Sequence, residues 1–261
     1  MRLATWNVNS LRVRLPAVER WIEEYQPDVL LLQETKLADG EFPAMPFAAL
    51  GYESAHHGDG RWNGVAIVSR IGLEEPRAGF HDAAPGDVEE CRIITAKCGP
   101  LQVFSVYVPN GRSVDSEFYV AKLGWLERLR GELEATSDPG ADVVVGGDFN
   151  VAPSDLDVWD PAQFVGATHV TEAERAALRR VTDWGLVDAL RQVTPEGPGP
   201  FSWWDYRGGA FHRGQGMRID LLLLNTPLAA RLEAVSIDRE ARKIQAETKP
   251  SDHAPVMADI H

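Results

Sequence analysis

Only two cysteines, Cys91 and Cys98, occur in 261 residues. That scarcity excludes a disulfide-stapled scaffold, and it leaves too few thiols for a structural zinc site unless histidines complete one. Both lie in or beside apolar stretches and read as buried, reduced thiols, which behave as small hydrophobes. Long apolar runs are also missing. The longest candidate, near Leu221 to Leu224, falls far short of the roughly 18–20 residues that cross a bilayer, so no membrane role is expected. Met1 to Asn7 enters strand-like sequence directly, with no signal-peptide pattern, and a cytoplasmic protein is the expectation. Basic residues are the minority: 26 Lys and Arg against 39 Asp and Glu give a net charge of −13. This argues against a protein that coats nucleic acid, while a local basic stripe can still survive on an acidic body. No repeat, low-complexity segment or linker interrupts the chain. Its richest Pro/Gly cluster, Thr194 to Pro200, is loop-sized, and residues 1–261 read as one domain.

What is present is a large apolar complement, 44% of residues, enough to bury a sizeable core. Strand-like runs recur at Leu3–Val8, Asp28–Gln33, Gly64–Ser69, Cys91–Lys97, Leu101–Val108, Asp142–Gly146, Ile219–Leu224, Leu232–Ile237 and Ala254–Ile260. Several are almost continuously apolar, which predicts strands covered on both faces. Helical spacing appears over residues 15–25 (Val18, Trp21, Ile22, Tyr25). It recurs over 116–134, with Phe118, Trp125, Leu126, Leu129 and Leu133 on one face. Residues 171–184 open with Thr171 and Glu174 in capping-box positions. Strands interleaved with helices over one domain predict a layered α/β or α+β sandwich.

The chemistry collects where apolar strands end in polar residues. Thr5-Trp6-Asn7-Val8-Asn9-Ser10 closes a strand with two amides. Val29-Leu30-Leu31-Leu32-Gln33-Glu34-Thr35-Lys36 runs a buried strand into a carboxylate, and strand ends lie at the cleft rim of open sheets. Val143-Val144-Val145-Gly146-Gly147-Asp148-Phe149-Asn150 repeats the design, and Asp148 and Asn150 share a side if strand geometry continues. Asp220 sits inside the apolar run Ile219–Leu224, where an unpaired charge is costly. His253, in Ser251-Asp252-His253, is its natural partner, because an Asp–His pair orients the ring and raises its basicity. Together Glu34, Asp148 and Asp252, the amides of Asn7 and Asn150, the Asp220–His253 dyad and the phenol of Tyr107 suit Mg²⁺ or Mn²⁺ rather than zinc. Hard cation and histidine dyad are the equipment for hydrolysing a phosphodiester.

Trp-Asn-Val-Asn at 6–9, Gln-Glu-Thr-Lys at 33–36, Val-Tyr-Val-Pro-Asn-Gly at 106–111, Gly-Gly-Asp-Phe-Asn at 146–150, Arg-Ile-Asp at 218–220 and Ser-Asp-His-Ala-Pro at 251–255 resemble the exonuclease III family. They occur in that family's order and span nearly the whole chain. Phe201 to Arg207 followed by Gly216 to Asp220 resembles its DNA-repair branch. The resemblance implies a four-layer α/β sandwich with two mixed β-sheets packed face to face and a cleft at one end. It implies incision of duplex DNA 5′ to abasic sites, with 3′-phosphodiesterase, 3′-phosphatase and 3′→5′ exonuclease activities. Glu34 becomes the principal metal ligand, with Asn7 and Asn9 beside it and Asp252 at a second metal position. Asp148 becomes the residue that activates water or protonates the leaving group. Tyr107, Asn110 and Asn150 hold the phosphate, with His253 oriented by Asp220. Trp203, Met217 and Ile219 form the pocket for a flipped abasic sugar. Lys36, Arg112, Arg207, Arg213 and Arg218 supply the basic stripe, as sequence-independent phosphate contacts.

The nearest competing reading is a 3′-end processing enzyme of the same fold with weak incision at abasic sites, His169 or His212 obstructing the sugar pocket. A superfamily phosphatase for inositol phosphates or phospholipids fits the tryptophans and arginines poorly. A non-enzymatic scaffold would be expected to lack Glu34, Asp148 or His253. Ser10 stands where many relatives have glycine, and Asp82 to Cys91 fits no motif. The chain begins almost at its first strand, so roles tied to the N-terminal extension of animal relatives are not implied. A monomer is the default expectation.

Overall fold

Alternation along the strands decides which side chains meet between two sheets and which meet the outer helices. In the computed structural model, described for residues 1–83, 90–243 and 249–261, the order is β1 (Arg2–Asn7), α1 (Leu11–Tyr25), β2 (Val29–Gln33), α2 (Ala44–Ala49), β3 (Glu53–His57), β4 (Val65–Ser69), β5 (Glu74–Ala78), β6 (Ile93–Cys98), β7 (Leu101–Tyr107), α3 (Glu117–Thr136), β8 (Asp142–Asp148), α4 (Glu172–Thr182), β9 (Leu186–Asp188), α5 (Ala189–Val193), α6 (Ala210–Arg213), β10 (Asp220–Asn225), α7 (Thr226–Ala229), β11 (Leu232–Ile237) and β12 (Val256–Ile260). The first sheet runs β11-β12-β1-β2-β4-β3 and the second β5-β6-β7-β8-β10-β9. Each is mixed, with one parallel pair: β1 with β2 across α1, and β7 with β8 across α3. The expected four layers are present. Leu3, Val29, Leu31 and Ile67 meet Ile94, Val103, Val144 and Leu222 between the sheets. Ala4, Trp6, Leu30 and Leu32 face the α1 side, with Val18, Trp21 and Ile22. Val143, Val145, Leu221 and Leu223 face the other outer layer, with Leu126, Leu129, Leu133 and Val181.

The inter-sheet layer turns polar toward one end. Successive inward residues read Leu3-Thr5-Asn7 on β1, Val29-Leu31-Gln33 on β2, Val103-Ser105-Tyr107 on β7 and Val144-Gly146-Asp148 on β8, while β10 runs the opposite way from Asp220 to Leu222 and Leu224. Thr5 Oγ1 donates to Gln33 Oε1 at 3.2 Å, and Gln33 Nε2 donates to Ser105 Oγ at 3.2 Å. These bonds satisfy the buried polar groups that lead from apolar core to cleft. Gly146 faces the inter-sheet layer without a side chain: a Cβ there would lie 2.6 Å from Leu31 Cδ1 of the other sheet and 2.8 Å from Leu222 Cδ2 of its own.

Several local expectations change. β3, β5 and β9, which the sequence did not signal, are all outermost strands. Their polar, partly exposed residues carry little hydrophobic pattern, as is usual for protected edges. α1 starts at Leu11, a turn before the apolar spacing begins, and its polar first turn buries Arg14. On α3, Phe118 is exposed and Lys122 and Glu132 are buried. The capping box at Thr171 and Glu174 is formed, and both cysteines are free and buried. Most of the 82–91 stretch lies outside the described residues. No helix among the described residues is long and apolar enough to cross a membrane.

Candidate active site

Five strand ends converge where the inter-sheet layer turns polar. Parallel pairing sets Tyr107 beside Asp148, and antiparallel pairing sets Asp220 opposite Asp148. From the first sheet, Asn7 spans the gap: its Nδ2 donates to Glu34 Oε1 at 2.8 Å and to Asp148 Oδ2 at 2.9 Å. Tyr107 Oη donates to the same Glu34 oxygen at 3.0 Å, and Lys36 Nζ lies 2.9 Å from the other. Asp148 Oδ1 accepts the backbone N–H of Asn150 at 2.9 Å. His253 completes the group. Its Nδ1 meets Asp220 Oδ2 at 2.9 Å, and its Nε2 faces Asp148 Oδ2 at 3.9 Å. Asp220 is held in turn by Ser202, whose Oγ donates to Oδ2 at 2.6 Å.

Backbone strain concentrates here. Asn9, Ser10, Glu34, Lys36, Arg112, Asn150 and His169 all have positive φ, seven of the nine non-glycine cases among the described residues. Such conformations cost free energy and persist where the surroundings fix them, often at functional sites. Strand geometry therefore stops at Asp148, and Asn150 does not continue on the same side as expected. Its Nδ2 instead donates to Val108 O at 2.9 Å, and its Oδ1 accepts from Asn110 at 3.2 Å. Each atom keeps one further donor or acceptor position for a phosphate or metal.

Charge at the site is unbalanced. Burial, with the charges of Asp220 and Glu34 adding to it, pushes the Asp148 carboxyl up to about 7 against the opposing pull of His253. For His253, burial alone would lower the value, but the Asp220 charge and hydrogen bond, then Asp148, outweigh it and lift the ring to about 10. An imidazolium is thus fixed with one N–H on Asp220 and the other toward the cleft. Burial and the Glu34 charge hold Tyr107 protonated, well above the usual phenol range. Three carboxylates face one imidazolium and one ammonium. Ligand atoms of Glu34, Asp148 and His253 lie within 4.8 Å of one another, a cluster that can hold a metal ion. Oxygen donors with excess negative charge fit a hard divalent cation; a protonated imidazole does not coordinate, so the carboxylates are the fitting donors.

Other expected residues fall into three groups. Asn9, Asp252 and Trp203 are brought together: Asn9 Nδ2 donates to Asp252 Oδ1 at 2.9 Å, and Trp203 Nε1 to Oδ2 at 3.1 Å. Asp252 thus stands apart from the Glu34–Asp148–His253 cluster, as a brace for the tryptophan. Trp203, Met217 and Ile219 share one apolar cluster, with Trp203 bridging to His253 through the backbone. Arg112, Arg207 and Arg213 are exposed. Two expectations are corrected. Asn7 turns its amide nitrogen to the carboxylates while its oxygen accepts from Asn9 N at 3.0 Å, so it bridges carboxylates rather than donating oxygen to a metal. Arg218 is 1% exposed. Its Nε meets Asp157 at 2.7 Å and its fork meets both oxygens of Asp188 at 3.0 and 2.8 Å, so it is enclosed by its partners, away from the surface, and pins the start of β10.

Sequence reasoning missed Ser202 and Lys122. Lys122 is fully buried, donating to Asn150 O at 2.6 Å and pairing with Glu174. No spacing marks Ser202, and a lysine on a helix reads as solvent-facing.

Strand-end carboxylates, an oriented imidazolium and an adjoining apolar wall define a metal-dependent phosphoester hydrolase. The sequence profile of the endonuclease/exonuclease/phosphatase family matches residues 4–253, and the chain belongs to that family, in its exodeoxyribonuclease III and AP endonuclease branch. It is 38% identical over 273 residues to the exodeoxyribonuclease III of Haemophilus influenzae, covering 100% of both. Among solved structures, an AP endonuclease from Archaeoglobus fulgidus superposes with a TM-score of 0.94 at 39% identity, covering 100% of this chain and 99% of that one. The 3′ phosphatase NExo from Neisseria, bound to a product DNA hairpin, superposes with a TM-score of 0.93 at 40% identity and the same coverage.

Proposed function

We propose that this protein incises duplex DNA on the 5′ side of abasic sites and clears blocked 3′ ends, using Mg²⁺ or Mn²⁺. The observation that carries the reading is the Asn7-bridged pair Glu34 and Asp148, facing an imidazolium fixed by Asp220. A bound divalent ion supplies charge neutralisation of the phosphate and leaving oxygen, with Glu34 and Asp148 as the residues that would hold it. The chain's own groups do the rest. His253 directs its Nε2–H at the phosphate, and Asp220 and Ser202 fix the ring. Asp148, whose Oδ2 faces His253 Nε2 at 3.9 Å, takes the proton of the attacking water or returns one to the leaving oxygen. The Trp203, Met217 and Ile219 wall receives the base-free sugar. Lys36, Arg112, Arg207 and Arg213 grip the flanking phosphates, the local stripe that reconciles DNA binding with an acidic chain.

A second reading, in which 3′-end processing dominates, is kept because the 3′ phosphatase NExo superposes with a TM-score of 0.93. The deciding experiment is a gel assay on a 5′-labelled duplex carrying one stable abasic analogue, with Mg²⁺ and with EDTA. Metal-dependent incision 5′ to the lesion, leaving a 3′-hydroxyl, is the expected result. Removal of a 3′-phosphate from a nicked control without incision selects the second reading. Inactivity on both substrates refutes the assignment to DNA.

A further inference from the structure

A second cavity opens beside the segment that carries Trp203. It measures about 390 Å³ and is lined by Tyr206, Phe211, Arg242, Lys243 and Lys249, among others. That volume lies within the roughly 300–1,000 Å³ range of small-ligand pockets. Its lining is mostly apolar, yet cations converge on it. Lys249 Nζ lies 4.3 Å from the centre of the Tyr206 ring, and the Arg242 guanidinium carbon lies 4.8 Å from the same ring and 5.3 Å from Phe211.

Arg242 is the unusual member. It is 7% exposed, its Nη2 donates to Trp204 O at 3.3 Å, and its Nε has no hydrogen-bond partner. A buried guanidinium N–H without an acceptor is costly, a cost the chain also carries at Arg130 and Arg191. Among the described residues no carboxylate contacts Arg242 directly. Asp205, the acidic residue among the described lining, has its Oδ1 engaged by Arg207, through the backbone N–H at 2.8 Å and Nε at 3.4 Å. The pocket is tied to the cleft. Tyr206 Oη donates to Pro250 O at 2.8 Å, two residues before Asp252, and Arg14 Nη2 reaches both Tyr206 Oη at 3.2 Å and Pro250 O at 3.3 Å.

From this geometry we infer that the cavity is a nucleotide subsite, separate from the catalytic cleft, that takes the base and phosphate of one unpaired nucleotide. Aromatic and apolar walls accept the base, as in sites that bind single strands. Arg242 and Lys249 meet the phosphate with charge-assisted hydrogen bonds, stronger than neutral ones. The nucleotide belongs to a DNA strand bound across the cleft or is a free mononucleotide released by exonuclease action; both present the same chemistry. Only that choice of ligand rests on the proposed function.

The test is calorimetric titration of the whole protein with deoxythymidine 5′-monophosphate in EDTA, so that no turnover is read. Binding is expected in wild type and in His253→Ala alike, weakened by at least about tenfold in Arg242→Met, the scale of a lost charged hydrogen bond. Lys249→Met, an exposed change that spares folding, should weaken it by about threefold or more, the scale of a surface cation–π contact. Thymidine and inorganic phosphate should each bind much more weakly. A duplex with a short single-stranded overhang that displaces the mononucleotide assigns the site to the strand; failure to displace it assigns the site to the free product. No binding overturns the inference. So does binding lost in His253→Ala but kept in Arg242→Met and Lys249→Met, or inorganic phosphate binding as well as the nucleotide. Incision in Mg²⁺ is read separately, so this subsite can fail while the proposed function stands.

Discussion

Two clusters of charge are buried within a few residues of each other at the start of β10, and they are built on opposite principles. Around Arg218, two guanidiniums meet two carboxylates. Arg218 binds Asp157 and Asp188, Arg191 also pairs with Asp157, and Ser154 closes the remaining oxygen of Asp157 through its N–H at 2.9 Å and Oγ at 2.7 Å. Around Asp220, three carboxylates share one imidazole, one lysine and hydrogen bonds from neutral groups. The first cluster is neutral, each carboxylate answered by a guanidinium. The second is open and short of positive charge, a state tolerable where a cation and a substrate are to be met. Balance, rather than burial, distinguishes the cluster that holds the fold from the one that does the chemistry.

The comparison is broken most severely at Asp148. Asp148→Asn should lower single-turnover incision by about 10³–10⁴-fold, the upper range for a positioned proton-transfer group, while DNA affinity by filter binding stays within a few-fold. Near-normal incision would return Asp148 to a structural role. His253→Ala should cost about 10²–10³-fold, the scale of losing one preorganised donor, and a small loss would demote the Asp220–His253 pair. Glu34→Ala should shift the Mg²⁺ dependence of incision to higher concentration, with unchanged dependence removing Glu34 as a ligand.

The neutral cluster should respond in stability instead. Arg218→Met should cost about 3 kcal/mol in urea unfolding, as expected when one partner of a buried ion pair is removed. Turnover per folded molecule should change little. A collapse of turnover at intact stability would restore Arg218 to the DNA interface. The smallest effect concerns pH. Burial, with the nearby Lys122 charge, holds His169 down to about 4 from 6.5. The unfolded chain therefore binds a proton the native one refuses, and stability falls as pH drops from 6.5 toward 4, being fully present above 6.5. His169→Asn, which tolerates the left-handed backbone, should flatten denaturation midpoints across that window. Equal slopes in the two proteins would show that His169 titrates normally.

Strands buried on both faces were legible because Val29–Leu32 and Val143–Val145 have no polar residue to confuse them. Glu34, Asp148, Asp220 and His253 were legible because each interrupts or ends such a run. The edge strands β3, β5 and β9 were not, since sequences such as Glu53–His57 and Glu74–Ala78 carry too little apolar pattern to stand apart from loops. Arg218 misled because an arginine before a catalytic strand reads as a phosphate contact. Its partners Asp157 and Asp188 are distant in sequence, and only the fold brings them to it. Lys122 and Ser202 were hidden for the same reason: their roles are set by contacts 28 and 18 residues away, which no local pattern encodes.

Asn7 and Glu34 belong to one sheet, and Asp148, Asp220 and Tyr107 to the other. The reactive centre therefore depends on how the two sheets stand to each other, and Gly146 leaves room between them: a Cβ there would lie 2.6 Å from Leu31 Cδ1 of the facing sheet. A substitution at this spacer, which touches no charged group, is expected to reach the chemistry only through the distance between the two sheets.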